Sequence, residues 1–255
     1  MTLPAGYVRV TSGRCDAVVR AEHEGDARIL LAEGTLYDAA ARDLAARPMQ
    51  GRGIAYAIAL PATRTRAVVR RNRHGGLFAP LRRDLFIPPT RAPHELDVAL
   101  RLQTLGISTP SVLMYGRERV HGVFRRADVV TREIPDGRDL ASYLGPEVAD
   151  SEREAAWMAT RQLLLTLNQA GARHHDLNVK NVLLATERGA LTAYVLDVDR
   201  VTFAEPNAES VRAGNARRLL RSALKWRETR GSVVGEREIA MLGEFAVAVL
   251  AHQRG

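Results

Sequence analysis

The sequence predicts an α+β chain of two lobes, strand-rich in its first half and helix-rich in its second. Three observations carry this expectation. Short runs with strand character, such as YVRV, DAVVR, IAYAIAL and RAVVRR, crowd into the first 134 residues. Apolar residues at helical spacing dominate from Ser151 onward. Between them, REIPDGRD supplies a Pro/Gly break, which sets the expected lobes at residues 1–134 and 135–255.

The first strands, YVRV and DAVVR, are followed by helical periodicity through GTLYDAAARDLAARPMQ, which Pro48 is expected to stop. A turn holding Gly51 and Gly53 leads into a strand at Ile54–Leu60, a turn at Pro61 and a second strand from Thr65 to Arg71. The segment RNRHGGLFAPLRRDLFIPPT is too rich in Gly, Pro and Arg for long regular structure. Residues 92–105 form a helix, with Pro93 as its first helical residue, Glu95 in its first turn, Leu96 and Leu100 on its apolar face and Gly106 as its stop. SVLMYG and VHGVFRRADVVTREI read as further strands. Ser151 followed by Glu154 is a capping-box pattern, and the helix it opens runs to Gly171. VRAGNARRLLRSALKWRETR is a basic helix, and GEREIAMLGEFAVAVLAH closes the chain as an amphipathic one.

With 255 residues, 46% of them hydrophobic and 26% charged, the chain can bury a sizeable core and is an ordinary globular sequence. Its net charge of +8 favours polyanionic partners: nucleic acid, anionic lipid or a phosphorylated substrate. Aromatic residues make up only 5%, and no stacking platform interleaves with the basic runs, so nucleic acid explains least. Cys15 is the single cysteine; without disulfide partner or metal-ligand neighbours it agrees with a reducing compartment. The N-terminal stretch lacks an apolar run long enough for a signal peptide, and FAVAVLA at 245–251 is too short to span a bilayer, so the expected location is cytoplasmic.

The chemistry concentrates in RHHDLNVKNVLL and the following LTAYVLDVDR. A loop carboxylate, Asp176, with a carboxamide, Asn181, five residues later suits phosphoryl transfer: the first orients a substrate hydroxyl, the second ligates Mg²⁺. Asp197, at the end of the next strand, offers a second ligand to the same ion. Singly, such residues are commonplace in turns, because they bond their own backbone. The informative feature is their order: helix, loop with Asp and Asn, strand, turn, strand, acid. His174 is expected to hold this loop by hydrogen bonds to backbone, and Asp199 to be structural on the opposite side of a continuing strand.

HHDLNVKNVLL with VLDVD resembles the catalytic and metal-binding loops of the protein-kinase-like superfamily, whose patterns are HRDLxxxxN and DFG. The DLN variant, together with RRNRHGGLFAPLRRDLF and GNARRLLRSALKW, is similar more particularly to the lipopolysaccharide kinases, in the branch acting on 3-deoxy-D-manno-octulosonic acid (Kdo). The likeness spans roughly residues 50–230.

That resemblance implies a two-lobed kinase-like fold, ATP and Mg²⁺ as cofactors, Asp176 as catalytic base, and Asn181 and Asp197 as metal ligands. It places Gly51 and Gly53 over the nucleotide phosphates, although GRG alone equally suits a plain turn. AVVR aligns with the pattern VAIK, so Arg70 stands where lysine normally meets the phosphates, with Glu95 as its ion-pair partner and Arg71 as the competing candidate. Lys180 is a second catalytic candidate, neutralising the transferred phosphoryl group, against the alternative of a solvated lysine. His175 takes the place usually held by arginine.

Only about a dozen residues separate Asp197 from the basic helix, too few for a peptide-holding segment, which points to a small-molecule or sugar acceptor. The implied reaction is phosphorylation of the Kdo 4-hydroxyl on a lipid A precursor. Other acceptors (heptose, an aminoglycoside-like molecule) and a pseudokinase serving as an interaction module are the alternatives. Arg217, Arg221 and Lys225, spaced four apart, form a cationic stripe suited to an anionic glycolipid and to peripheral contact with the cytoplasmic face of the inner membrane, or else simply a solvated face.

Overall fold

The computed structural model describes residues 3–50, 53–72 and 84–246. The chain divides into two compact units, one formed by residues 1–100 and 110–133, the other by 101–109 and 134–255.

The first unit is built on a seven-stranded antiparallel sheet. Tyr7–Ser12 (β1) and Cys15–Arg20 (β2) form a hairpin whose turn requires a positive φ at Gly13, 55°. Arg47–Gln50 (β3), Ile54–Ala59 (β4), Arg66–Arg71 (β5), Val112–Arg119 (β6) and Arg125–Arg132 (β7) complete it in the order β1-β2-β6-β7-β5-β4-β3. One face packs on Glu24–Ala32 (α1) and Leu36–Arg42 (α2), burying Val19, Leu30, Leu31, Leu36, Ile58, Val69 and Met114 in one cluster. The α2 helix starts where Thr35 accepts the Asp38 N–H at 3.1 Å. At the base of α1, buried Asp26 accepts from the Ala62 and Thr63 amides at 2.7 and 3.0 Å, which fixes the turn after β4.

Two expectations fail here. The helix expected to continue to Pro48 ends at Arg42, and Pro48 lies inside β3. This strand pairs only with β4 and so lies at the sheet edge, where a proline is tolerated. The α1 helix was not anticipated, although Ala27, Leu30 and Leu31 carry the required i, i+3, i+4 spacing. The helix expected at 92–105 is present as Arg91–Thr104 (α3), but it begins two residues before Pro93, so Glu95, which is buried, lies just past its first turn rather than in it.

The second unit is mainly helical. Asp150–Gln169 (α4), Glu209–Arg230 (α5) and Glu236–Ala246 (α6) surround two small sheets. One joins Arg138–Asp139 (β8) to the hairpin Val182–Glu187 (β10) and Ala190–Val195 (β11). The other pairs Ala172–His174 (β9) with Val201–Phe203 (β12). The expected capping box at Ser151 and Glu154 is absent: the N-cap is Ala149, two residues earlier, and no side chain caps the helix. Asp150 and Glu152 in the first turn complement the helix dipole instead. Gly171 does stop α4, with φ 66°, and a Cβ there would collide with the Ala204 carbonyl. Among the described residues, no helix is long and apolar enough to cross a membrane.

Candidate active site

The loop after β9 is shaped by main-chain hydrogen bonds that the flanking side chains complete. His174, fully buried, accepts the Asp176 N–H through Nδ1 at 3.0 Å. Its Nε2 lies 2.8 Å from the Leu196 carbonyl, which can only accept, so this nitrogen carries the proton and the ring is neutral. Burial pushes the His174 pKa below its ordinary value. The expectation that His174 holds the loop through backbone contacts is met at both ring nitrogens. One imidazole therefore ties the loop bearing Asp176 to the residue before Asp197.

Asn215, buried on α5, secures the same strand from the other side. Its Oδ1 accepts the His174 N–H at 2.9 Å and its Nδ2 donates to the Ala172 carbonyl at 2.9 Å. Sequence reasoning missed this residue, because its partners lie more than forty positions upstream and only folding brings them together. His175, where an arginine is usual, places Nε2 at 2.7 Å from Thr202 Oγ1 on β12.

Asn181 donates its Nδ2 to the Asp176 carbonyl at 2.8 Å, and Asn178 does the same at 2.9 Å. The donated N–H settles which end of the Asn181 amide is oxygen. Val182 pairs with Val195 at the open end of the β10-β11 hairpin, and the Leu196 N–H donates to the Asn181 carbonyl at 2.9 Å. Asn181 and Asp197 thus flank one hairpin end, with the Asp176 backbone bonded to the first of them.

Asp197 itself is left-handed, φ 53° and ψ 47°, and opens a 3-10 turn over Val198–Arg200. That conformation costs a non-glycine residue about 1 kcal/mol, and it turns the chain from the end of β11 at Val195 into the 3-10 turn. Consequently the strand does not persist to Asp199, which sits within the turn rather than on an opposite strand face. Neither the Asn181 amide oxygen nor the Asp197 carboxylate has a protein partner among the described residues. Two hard oxygen donors at one hairpin end fit Mg²⁺ by ligand type.

Lys180, exposed on the same loop, is ion-paired with Asp139, whose other oxygen accepts the Ser142 N–H at 3.0 Å, and lies 5.8 Å from the Trp226 ring centre.

In the first unit, adjacent arginines on β5 point to different surroundings, as strand alternation requires. Arg70 is ion-paired with buried Glu95 and donates to Asn72 Oδ1 at 3.3 Å. Arg71 bonds Asp128 and Asp38, both at 3.0 Å, and Thr35 at 2.7 Å, and stacks 4.5 Å over the Tyr37 ring. The predicted Arg70–Glu95 partnership is thus formed, while the competitor Arg71 is held by acidic side chains of the first unit. Gly53 lies in a bend just before β4; Gly51 falls outside the described residues, as do positions 73–83 of the arginine-rich segment.

Fold and loops together define a phosphotransferase of the protein-kinase-like class. A family model for the lipopolysaccharide kinase (Kdo/WaaP) family matches residues 42–241, and the chain belongs to that family. A relative from Xanthomonas euvesicatoria pv. vesicatoria (strain 85-10), described as 3-deoxy-D-manno-octulosonic acid kinase, is 31% identical over 223 residues, 84% of each chain. One of the same description from Stenotrophomonas maltophilia (strain R551-3) is 32% identical over 211 residues, 80% of each. Among solved structures, "WaaP in complex with acyl carrier protein" superimposes with a TM-score of 0.53 at 16% identity, covering 86% of this chain and 85% of that one, a likeness of fold.

The neutral His174 has a consequence for pH. The unfolded chain binds a proton at this residue near its ordinary value of 6.5, whereas the folded state resists it. Unfolding therefore takes up a proton on acidification, so this stabilisation is complete above about pH 6.5 and declines as pH falls below it. The melting temperature is expected to drop between about pH 7 and about pH 5.5. A His174→Gln variant, less stable throughout, is expected to show a shallower decline over the same interval.

Proposed function

We propose that this protein transfers the γ-phosphate of ATP to the Kdo 4-hydroxyl of a lipid A precursor, a step in lipopolysaccharide core biosynthesis. The observation that carries the reading is the arrangement of Asp176, Asn181 and Asp197 about one loop and one hairpin end, in a chain whose relatives are described as Kdo kinases. In this reading Asp176 accepts a hydrogen bond from the sugar hydroxyl, aligns it for in-line attack and takes its proton as the oxygen bonds to the γ-phosphorus and the bond from that phosphorus to the β,γ-bridging oxygen breaks, releasing ADP. Asn181 and Asp197 would hold Mg²⁺, which when bound would offset charge on the phosphates. Arg70, oriented by Glu95, offers a fixed cation suited to a phosphate. Lys180, steadied by Asp139, approaches the phosphoryl group from the loop side. Gly51 and Gly53 cover the nucleotide phosphates.

The acceptor reading is supported by the short path from Asp197 to α5, which holds only the turn at Val198–Arg200, β12 and a few connecting residues. Arg217, Arg221 and Lys225 are exposed on α5 and suit an anionic glycolipid at the cytoplasmic face of the inner membrane. The test is transfer from labelled ATP to a Kdo-bearing lipid A precursor, with the phosphorylated position read by mass spectrometry and nuclear magnetic resonance. Label on the Kdo 4-oxygen is expected; label on heptose alone, or none, would overturn the reading.

Arg70 provides a second check. Exchanging Arg70→Met together with Glu95→Gln removes both charges and avoids a lone buried carboxylate. Transfer is expected to fall by about 10²-fold, as for the loss of one preorganised charge donor, while the protein still folds cooperatively. Unchanged turnover would remove Arg70 from phosphate binding.

A further inference from the structure

We propose that one end of the seven-stranded sheet, at the β6-β7 tip, docks on an anionic membrane surface, inserting Val123 and Ile87 between headgroups while Arg14, Arg119 and Arg125 meet lipid phosphates. The inference rests on the glycolipid reading above and names the partner that would bring its acceptor within reach.

The β6-β7 hairpin turns at His121–Phe124, closed by the Phe124 N–H donating to the His121 carbonyl at 3.2 Å, with Gly122 at φ 59°. At its apex Val123 is 61% exposed, although a polar residue would serve the turn equally well. Beside the hairpin runs the chain leading to α3. Phe86 and Arg125 exchange both backbone bonds, at 2.7 and 2.8 Å, which anchors buried Phe86 and leaves the next residue, Ile87, 65% exposed. Two of the most exposed large apolar side chains described thus occur on segments bonded to each other. Scattered singly they would mean nothing; here the Phe86–Arg125 bridge sets them one and two residues from a shared anchor point.

Arginines accompany these side chains. Arg119 donates its backbone N–H to the Arg14 carbonyl at 2.9 Å, so the β1-β2 turn sits against the same hairpin. Arg14 and Arg119 are exposed, and neither they nor Arg125 form an ion pair among the described residues. The neighbouring Arg117 and Arg126 are neutralised by Asp16 and by Asp84 and Glu118. Unneutralised guanidinium groups around exposed aliphatic tips fit a lipid interface, where apolar groups enter the acyl boundary and cations meet phosphate. A nucleic acid would use the arginines and leave the aliphatic tips wet.

The sheet register gives this end a functional position. Arg71 lies opposite Asp128, and Ala55 opposite Arg70, so the β6-β7 tip, the start of β4 and the end of β5 bearing Arg70 share one end of the sheet. From Asp128 the strand reaches Arg125 within about 10 Å. A membrane at this end is on the side of the unit where Arg70 is proposed to meet phosphate.

The experiment is sedimentation of the full chain with vesicles of phosphatidylcholine alone or mixed with phosphatidylglycerol, alongside a heparin-binding arm. Wild-type protein is expected to partition onto the anionic vesicles. Val123→Asp with Ile87→Asp, and separately Arg14→Glu with Arg119→Glu, are each expected to weaken partition at least about tenfold. Transfer to a deacylated, water-soluble Kdo acceptor stays unchanged in both, while transfer to vesicle-embedded glycolipid falls in step with partition. Melting curves verify that both variants are folded. Undiminished partition in the aspartate pair, equal binding to neutral vesicles, or heparin binding that depends on the arginines without any vesicle binding would each overturn the proposal. Vesicle binding with the expected variant losses, but no transfer to any Kdo acceptor, would sustain the surface and overturn the substrate reading alone.

Discussion

Replacing Asp176 by alanine is expected to lower phosphate transfer by at least about 10³-fold and to leave the folded structure in place. The two halves of this expectation have separate physical causes. Activity falls because, on the proposed mechanism, no other group of the loop aligns the attacking hydroxyl and removes its proton. The fold survives because the loop is held through the main chain of residue 176: its N–H reaches His174, and its carbonyl accepts from Asn178 and Asn181. Alanine keeps all three bonds. Single-turnover transfer from labelled ATP, measured beside a thermal melt, separates the cases. Equal rates in the two proteins would take Asp176 out of the chemistry, and a large drop in melting temperature would show that its side chain is structural.

Arg71→Ala is expected to do the opposite, costing about 3–5 kcal/mol of stability by leaving a buried carboxylate unpaired. Asp128 is only 3% exposed; it accepts from Arg71 Nε and from the Tyr37 N–H at 3.0 Å. Without the guanidinium, only the Tyr37 N–H and the Thr35 hydroxyl, both uncharged donors, remain for a charge in the interior, and Thr35 and Asp38 lose a partner as well. Such a loss is a large share of the roughly 5–15 kcal/mol that holds an ordinary domain together. Urea unfolding measures it. The double change Arg71→Met with Asp128→Leu should recover much of the deficit, since it removes both charges at once. A variant Arg71→Ala with an unaltered unfolding midpoint and a selective loss of transfer would reverse the roles assigned to Arg70 and Arg71.

These two residues also mark how far the sequence can be read. Asp176, Asn181 and Asp197 were recognisable because their spacing is local: one loop and one hairpin carry all three, and hairpin pairing alone brings Asn181 beside the chain entering Asp197. The same holds for Glu95, one helical turn after Arg91, and for the stop at Gly171, where a single φ decides. The capping box failed because Ser151 and Glu154 satisfy a pattern without the backbone geometry that makes it a cap, and the helix had already begun at Asp150. The helix drawn through to Pro48 failed because periodicity was extended past Arg42 into an exposed strand that reads equally well either way.

By itself, then, the sequence determined the α+β class, the family and where along the chain the candidate phosphoryl-transfer loops fall, since all of these rest on short-range order along the chain. Tertiary structure alone decided which arginine of the Arg70–Arg71 pair meets Glu95, that Asn215 clamps the strand before Asp176, and which apolar residues are left outside. The physical reason is common to the three. Alternation along β5 says that neighbouring side chains must diverge, but whether a face meets Glu95 or Asp128 depends on segments 25 and 57 residues away, whose arrival only the folded chain records.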